Sequence, residues 1–273
     1  MAALSENFNA LLKETQFTLE MLGSGATQIR KASHVAKGTY FQALTSLSTG
    51  IERIGKLCLI LNHYIETNGR FPTYDEMKND VGHDIQKIYK KSQEIIDARR
   101  IVLEHLQNLS NPVHQAILQS LSSFAKGDRY SNIDLITGAK RRSDPIADWF
   151  NGVEKRIYET AISDTKKARI RQNARIVCAL IGDVSYVLQS SETGEEINDL
   201  ETASQIIGAS AAVAPYRQLN VLQVIRYWTD LLRELEYLAY AVPGADIPHF
   251  SEMFARFGND GSYLRTRKTW EKN

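Results

Sequence analysis

Apolar positions recur at Leu44, Leu47, Ile51, Ile54, Cys58, Leu61 and Ile65. Steps of three and four keep one face apolar for about six turns, which predicts a long amphipathic helix. Asn68-Gly69 stops it, with Pro72 just beyond. A second helix is expected from His83, carrying Ile85, Ile88, Ser92, Ile95, Arg99, Val102, Leu106 and Leu109 on one stripe. Asn111-Pro112 is an N-cap followed by a first-turn proline, and opens a helix with Val113, Ile117, Leu118, Leu121 and Phe124 inward, ending at Gly127. Residues 127 to 143 form a long polar interruption. Asp144-Pro145 repeats the cap-and-proline device ahead of Ile146, Trp149, Phe150, Val153 and Ile157.

Further along, Ile170, Ala174, Val177, Ile181, Val184 and Leu188 make another inward stripe, and Ser190 to Asp199 reads as an acidic loop. A helix over Leu200 to Ala214 is expected to break at Pro215, before a last long helix with Leu222, Ile225, Trp228, Leu232 and Leu235 facing in. Phe8, Leu11, Leu12, Phe17, Leu19 and Leu22 predict an N-terminal helix that turns at Gly23-Ser-Gly25. No strand-like alternation of useful length and no internal repeat appears. The pattern predicts an all-α protein: an up-and-down bundle of four to five long helices with additional C-terminal helices. Residues 1–38 read as a helical arm, 39–160 as the bundle, and 161–273 as a helical extension packed on it in one globular unit.

With 43% apolar and 24% charged residues the chain fits a folded protein rather than a disordered one. Its net charge of +1 means that any nucleic-acid surface must come from local clustering. No apolar-cored leader and no membrane-length apolar run is present, so the expectation is a cytoplasmic protein with no membrane association. Cys58 and Cys178 fall on apolar helix faces and read as buried free thiols. There is no phosphate loop, dinucleotide glycine motif, nucleophile elbow or zinc-protease helix, and the six histidines are scattered, so neither a cofactor nor a metal is expected.

Three polar groups interrupt the apolar pattern. Glu52 and Lys56 are four apart on the first bundle helix, which suits an ion pair. Gly82-His83-Asp84-Ile85 opens the next helix, with Asp84 placed to cap it and His83 to cap or to bridge back. Arg129-Tyr130-Ser131-Asn132-Ile133-Asp134 lies after the third helix. It is either a turn with a packed tyrosine, or an arginine and an aromatic that clamp a phosphate and stack a base.

This layout resembles that of HEPN domains, small helical bundles of prokaryotic toxin and antiviral defence systems. They carry a recurring Glu-x-x-x-Lys helix followed by a His-Asp helix start. The resemblance covers residues 39 to 160. It implies a homodimer, RNA or a nucleotide as ligand, a possible partner protein from the same defence or toxin–antitoxin system, and either metal-independent endoribonuclease activity or a catalytically inactive nucleotide- or partner-binding module. In the active family members an arginine and a histidine five to seven positions later drive attack of the ribose 2′-hydroxyl on the adjacent phosphate. Arg129 has no such histidine, since none lies between His114 and His249. The spacing is met by Arg99 or Arg100 with His105. The candidate catalytic residues are therefore Arg99, His105, Arg129 and His83, with Glu52, Lys56 and Asp84 as supporting polar residues.

His83, at the start of the second bundle helix, is expected to lie level with Leu61 to Ile65. That helix is expected to run antiparallel to the first, which makes direct contact with Glu52 unexpected. Candidate RNA- or nucleotide-binding residues are Tyr130 and Asn132, Lys140 and Arg141 in the polar segment, and Lys167, Arg171 and Arg175 in Lys166–Arg175. The last stretch has five cations and no acid. The same stretch also reads as a solvated helix face balanced by the acidic residues at Glu192 to Glu201. Trp270, with Arg265, Arg267 and Lys268, is expected to dock on the body.

Overall fold

The computed structural model describes residues 5–80, 82–138 and 143–271, with the side chains of 78–80 outside that description. The protein is all-α. In chain order the elements are α1 (Glu6–Lys31), α2 (Lys37–Glu66), α3 (Tyr74–Asp80), α4 (Ile85–Arg99), α5 (Pro112–Lys126), α6 (Ser131–Ile136), α7 (Pro145–Trp149), a π-helical turn (Phe150–Glu154), α8 (Lys155–Ala161), α9 (Asp164–Ile181), α10 (Leu200–Tyr240), α11 (Phe250–Phe254) and α12 (Gly261–Thr266). Two short strands, β1 (Gln189–Ser190) and β2 (Glu196–Ile197), pair antiparallel in what reads from sequence as a loop. One contiguous apolar core joins residues from Leu11 to Trp270. No helix among the described residues is long and apolar enough to cross a membrane.

The capping chemistry acts as the sequence implies. Asn111 Oδ1 accepts from Val113 N at 2.8 Å and Asp144 Oδ1 from Ile146 N at 3.0 Å, each beside its first-turn proline. Gly127, at φ 145°, ends α5. Trp270 is fully buried between Phe257 and Tyr263, so the basic tail docks on the body.

Elsewhere tertiary packing overrides the pattern. α1 runs straight through Gly23 and Gly25 instead of turning, because these glycines are places of close approach. A side chain on Gly25 would strike Leu47 of α2. α10 continues for 41 residues, about 60 Å, through Pro215. The missing N–H is tolerated because the turns after it are buried from Arg217 to Ala239. The apolar stripe of α9 is inward only at Ile170 and Ala174; Ile181, Val184 and Leu188 are exposed. Residues 128–136 are helical, not an open loop.

α4 stops at Arg99, ten residues before Leu109. Arg100 adopts φ 55°, its N–H bonds Asp97 O, and Ile101 N–H bonds Ile96 O at 2.9 Å. This is a Schellman C-cap, with buried Ile96 and Ile101 as its apolar contact. An exposed arginine occupies the position that glycine usually fills. Arg100→Gly is therefore expected to stabilise the protein by about 1 kcal/mol, measured as a rise in the urea midpoint at unchanged slope. A fall in the midpoint would show that the arginine side chain contributes more than its backbone conformation costs.

α4 also runs parallel to α2, not antiparallel. His83 meets Glu52, a Cβ on Gly55 would lie 2.5 Å from Ile88, and Arg99 reaches Asn62 and Glu66, so both helices ascend together. The stretch between Glu66 and Ile85, with α3 inside it, travels back along α2 before α4 begins. α1 is antiparallel to α2, pairing Glu14 with Arg53 and Leu22 with Gly50. α10 lies along α2 in the same direction, from Arg217 beside Tyr40 to Trp228 beside Gly55.

Candidate functional site

The return of the 67–84 segment creates the first polar cluster. Glu52 Oε1 receives Lys56 Nζ at 2.7 Å and faces His83 Nδ1 at 2.9 Å, so Glu52 and His83 are in direct contact after all. The next residue, Asp84, caps α4 through Lys87 N at 3.2 Å and takes Ser122 Oγ at 3.0 Å and Lys126 Nζ from α5. Partial burial alone would raise the Asp84 carboxyl, but these donors outweigh it and hold it below its usual range. The cluster staples α2, α4 and α5 together. His83 is exposed at its rim.

Arg129 follows α5 in a short 3-10 turn, with its guanidinium 5.0 Å from the centre of the Tyr130 ring; both are exposed, as is Asn132. Lys140 and Arg141 lie outside the described residues. On α9, Lys167 lies over the Tyr158 ring and bonds Glu159 O, Arg175 approaches Glu201 of α10 at 3.6 Å, and Arg171 lines a cavity against α8 and α10.

Arg99 and His105 are separated by the end of α4 and held by different helices. Arg99 Nε donates to Asn62 Oδ1 at 2.6 Å, in a cleft of about 360 Å³ between α2, α3 and α4. His105 turns instead to α10. Its Nδ1 lies 2.9 Å from Asp230 Oδ2, and its backbone N–H donates to the same oxygen at 3.2 Å. The Asp230 side chain is only 3% exposed, and that of His105 20%. An ionised carboxylate only accepts, so Nδ1 carries the ring proton and Nε2 is left as the base. Nε2 points toward Glu104, 3.9 Å away.

Two arginines of α10 complete this cluster. Arg233 Nη1 donates to Glu104 Oε2 at 2.7 Å and lies 4.0 Å from Asp230. Burial would lower its pKa, but Glu104, Glu234 and Asp230 more than offset that and raise it. Arg226 is buried, donates to Asn259 O at 2.9 Å, and has its pKa lowered by burial against the pull of Asp230 and Glu104. The bond from Arg233 and the nearby positive charges hold the Glu104 carboxyl below its usual range.

The chain matches no protein-family model, no curated protein and no solved structure. The geometry must therefore carry the reading. Glu104, His105 and Asp230 bring one ligand atom each within 4.8 Å of one another, a spacing that a metal ion accepts. Two guanidinium groups share the cluster, however, and Asp230 Oδ2 is occupied by the His105 ring, so both carboxylates already have partners. Sequence reasoning singled out His105 but missed Asp230, Arg226, Arg233 and Glu104. The available signal was a stripe of charge, Arg226, Asp230 and Arg233, at helical spacing among the apolar residues Leu222, Ile225, Trp228 and Leu232.

Proposed function

We propose that this is a HEPN-like protein of a prokaryotic toxin or antiviral defence system, acting on RNA as a metal-independent endoribonuclease. The observation that supports this reading is the His105–Asp230 pair, with Nδ1 held at 2.9 Å by a buried carboxylate. Such a pair fixes the ring and its tautomer and stabilises the imidazolium that forms when Nε2 takes a proton. In the proposed reaction Nε2 removes the proton of a ribose 2′-hydroxyl and the 2′-oxygen attacks the adjacent phosphorus. The bond to the 5′-oxygen breaks, and that oxygen takes a proton from water. Arg233, released from Glu104, and Arg226 balance the charge on the phosphate. Arg233 then takes the part that the sequence spacing suggested for Arg99.

The second reading, a catalytically inactive HEPN-like nucleotide- or partner-binding module, is favoured by the place of His105, which lines neither the cleft of about 360 Å³ that holds Arg99 nor the cavity of about 450 Å³ beside Arg171. Incubation with total RNA separates the two. Cleavage leaving 2′,3′-cyclic phosphate ends supports the enzyme; intact RNA that stays bound supports the module. Either reading carries the family's two-fold assembly, so light scattering at micromolar concentration is expected to give about twice the 30.8 kDa chain mass. A clean monomer would remove the dimer from the proposal.

A further inference from the structure

A cavity of about 450 Å³ lies between the π-helical turn, α8, α9, the β1–β2 hairpin and α10. Its base is lined with acceptors. Glu154 gives one oxygen, Oε1, to three donors: Tyr40 OH at 2.8 Å, Trp149 Nε1 at 3.0 Å, and Arg217. Its other oxygen has no hydrogen bond among the described residues. Glu192 is 2% exposed, lines the same cavity, and has neither a hydrogen bond nor an ion pair among the described residues. Its oxygens are not sealed off but reach the cavity, where a ligand that donates would pair them.

The local fold delivers Glu192 there on purpose-built geometry. Gly194 N–H bonds Ser191 O at 3.1 Å, and Gly194 sits at φ 85°, so Glu192 and Thr193 occupy the middle of a tight hairpin turn. His34 and Lys37 fasten the hairpin strand to the body through Gln189 and Ser190. Opposite, the π-helical turn displaces Phe150 and Glu154 from regular helical register, a distortion frequent at functional sites. Tyr158 supplies a second aromatic ring, and Lys155 and Arg171 supply cations at the walls.

We infer that this cavity binds a guanine nucleotide. The base would offer N1–H and the 2-amino group as a donor pair to the Glu192 carboxylate, between the aromatic side chains Phe150 and Tyr158, with its phosphate toward Lys155 and Arg171. The cavity size suits a ligand with a ring and a phosphate better than a small amine. None of its residues belongs to the His105 cluster, so nucleotide binding and RNA cleavage succeed or fail separately.

Isothermal titration of the full chain with GMP, AMP and agmatine tests the inference. Agmatine offers the same donor pair on a guanidinium, without ring or phosphate. GMP is expected to bind, AMP at least tenfold more weakly, and agmatine more weakly still. Glu192→Gln removes the charge and one acceptor at constant shape, and should weaken GMP on the order of 10- to 100-fold. Arg171→Ala, on the exposed face of α9, should weaken GMP but leave guanosine unchanged. No heat with GMP at millimolar concentration, equal binding of AMP or agmatine, or unchanged GMP affinity in a folded Glu192→Gln protein would overturn it. Should that variant fail to fold, loss of the GMP preference over guanosine in Arg171→Ala decides for it, and its retention against it.

Discussion

Arg217→Met is expected to lower the stability of the protein by about 3–5 kcal/mol. Arg217 is fully buried, bonds Glu154 and Tyr40, and donates to Ala32 O at 2.7 Å and Arg30 O at 3.3 Å. Burial would lower its pKa, but the Glu154 carboxylate beside it raises it instead. Removing the guanidinium leaves a 3% exposed Glu154 carboxylate with neutral donors only, and frees two carbonyls at the end of α1. That is the costly half of breaking a buried pair. Urea unfolding measures the loss. Adding Glu154→Gln to Arg217→Met should recover part of it, because the uncompensated charge is then gone. A loss below 1 kcal/mol for Arg217→Met alone would show that water reaches the pair and that it is not the internal clamp between α1, α2, the π-helical turn and α10.

The second large effect falls on activity. On the proposed mechanism, His105→Ala is expected to reduce RNA cleavage by about 10²–10⁴-fold, the usual contribution of a positioned general base. Asp230→Asn should lower it in the same direction, since an amide no longer enforces a proton on Nδ1 or stabilises the imidazolium. Arg233→Ala is expected to cost on the order of 10²-fold, as the loss of a charge-stabilising donor does. Arg99→Ala should change cleavage little, because Asn62 and Glu66 hold that side chain in another cleft. Initial rates on a defined single-stranded RNA give all four numbers, and melting curves check that each variant is folded. A large loss in Arg99→Ala with none in Arg233→Ala would return the phosphate-binding part to Arg99.

The contrast between Arg99 and Arg233 shows what the sequence carried. Features set within one turn of chain were legible: the Asn111-Pro112 and Asp144-Pro145 starts, the Glu52–Lys56 pair, the Asp84 cap, and the face of α2 that became core. Features set by a neighbour were not. The end of α4 was hidden because Arg100, rather than glycine, adopts the left-handed conformation. Gly23 and Gly25 look like a turn until Leu47 and Trp270 are seen against them. Pro215 reads as a break because only the burial that follows it keeps the helix going. The direction of α4 depended on the stretch 67–84. It is able to span on the order of 60 Å, ample to retrace the roughly 21 Å of α2 between Glu66 and Glu52.

The candidate site is the extreme case of the same rule. His105 and Asp230 are 125 positions apart, and no local spacing links them. Glu192 reads from sequence as one acid in an acidic loop. A two-stranded hairpin fastened to His34 and Lys37 turns it into a buried wall of a cavity.

The proposed function rests on His105, held by Asp230, cleaving RNA without a metal. Incubating the purified protein and its His105→Ala variant with total RNA, each with and without EDTA, tests it most directly. The account predicts fragments ending in 2′,3′-cyclic phosphate from the wild-type protein, produced equally with EDTA, and intact RNA with the variant. Intact RNA in every lane, cleavage abolished by EDTA, or cleavage that survives His105→Ala would contradict it.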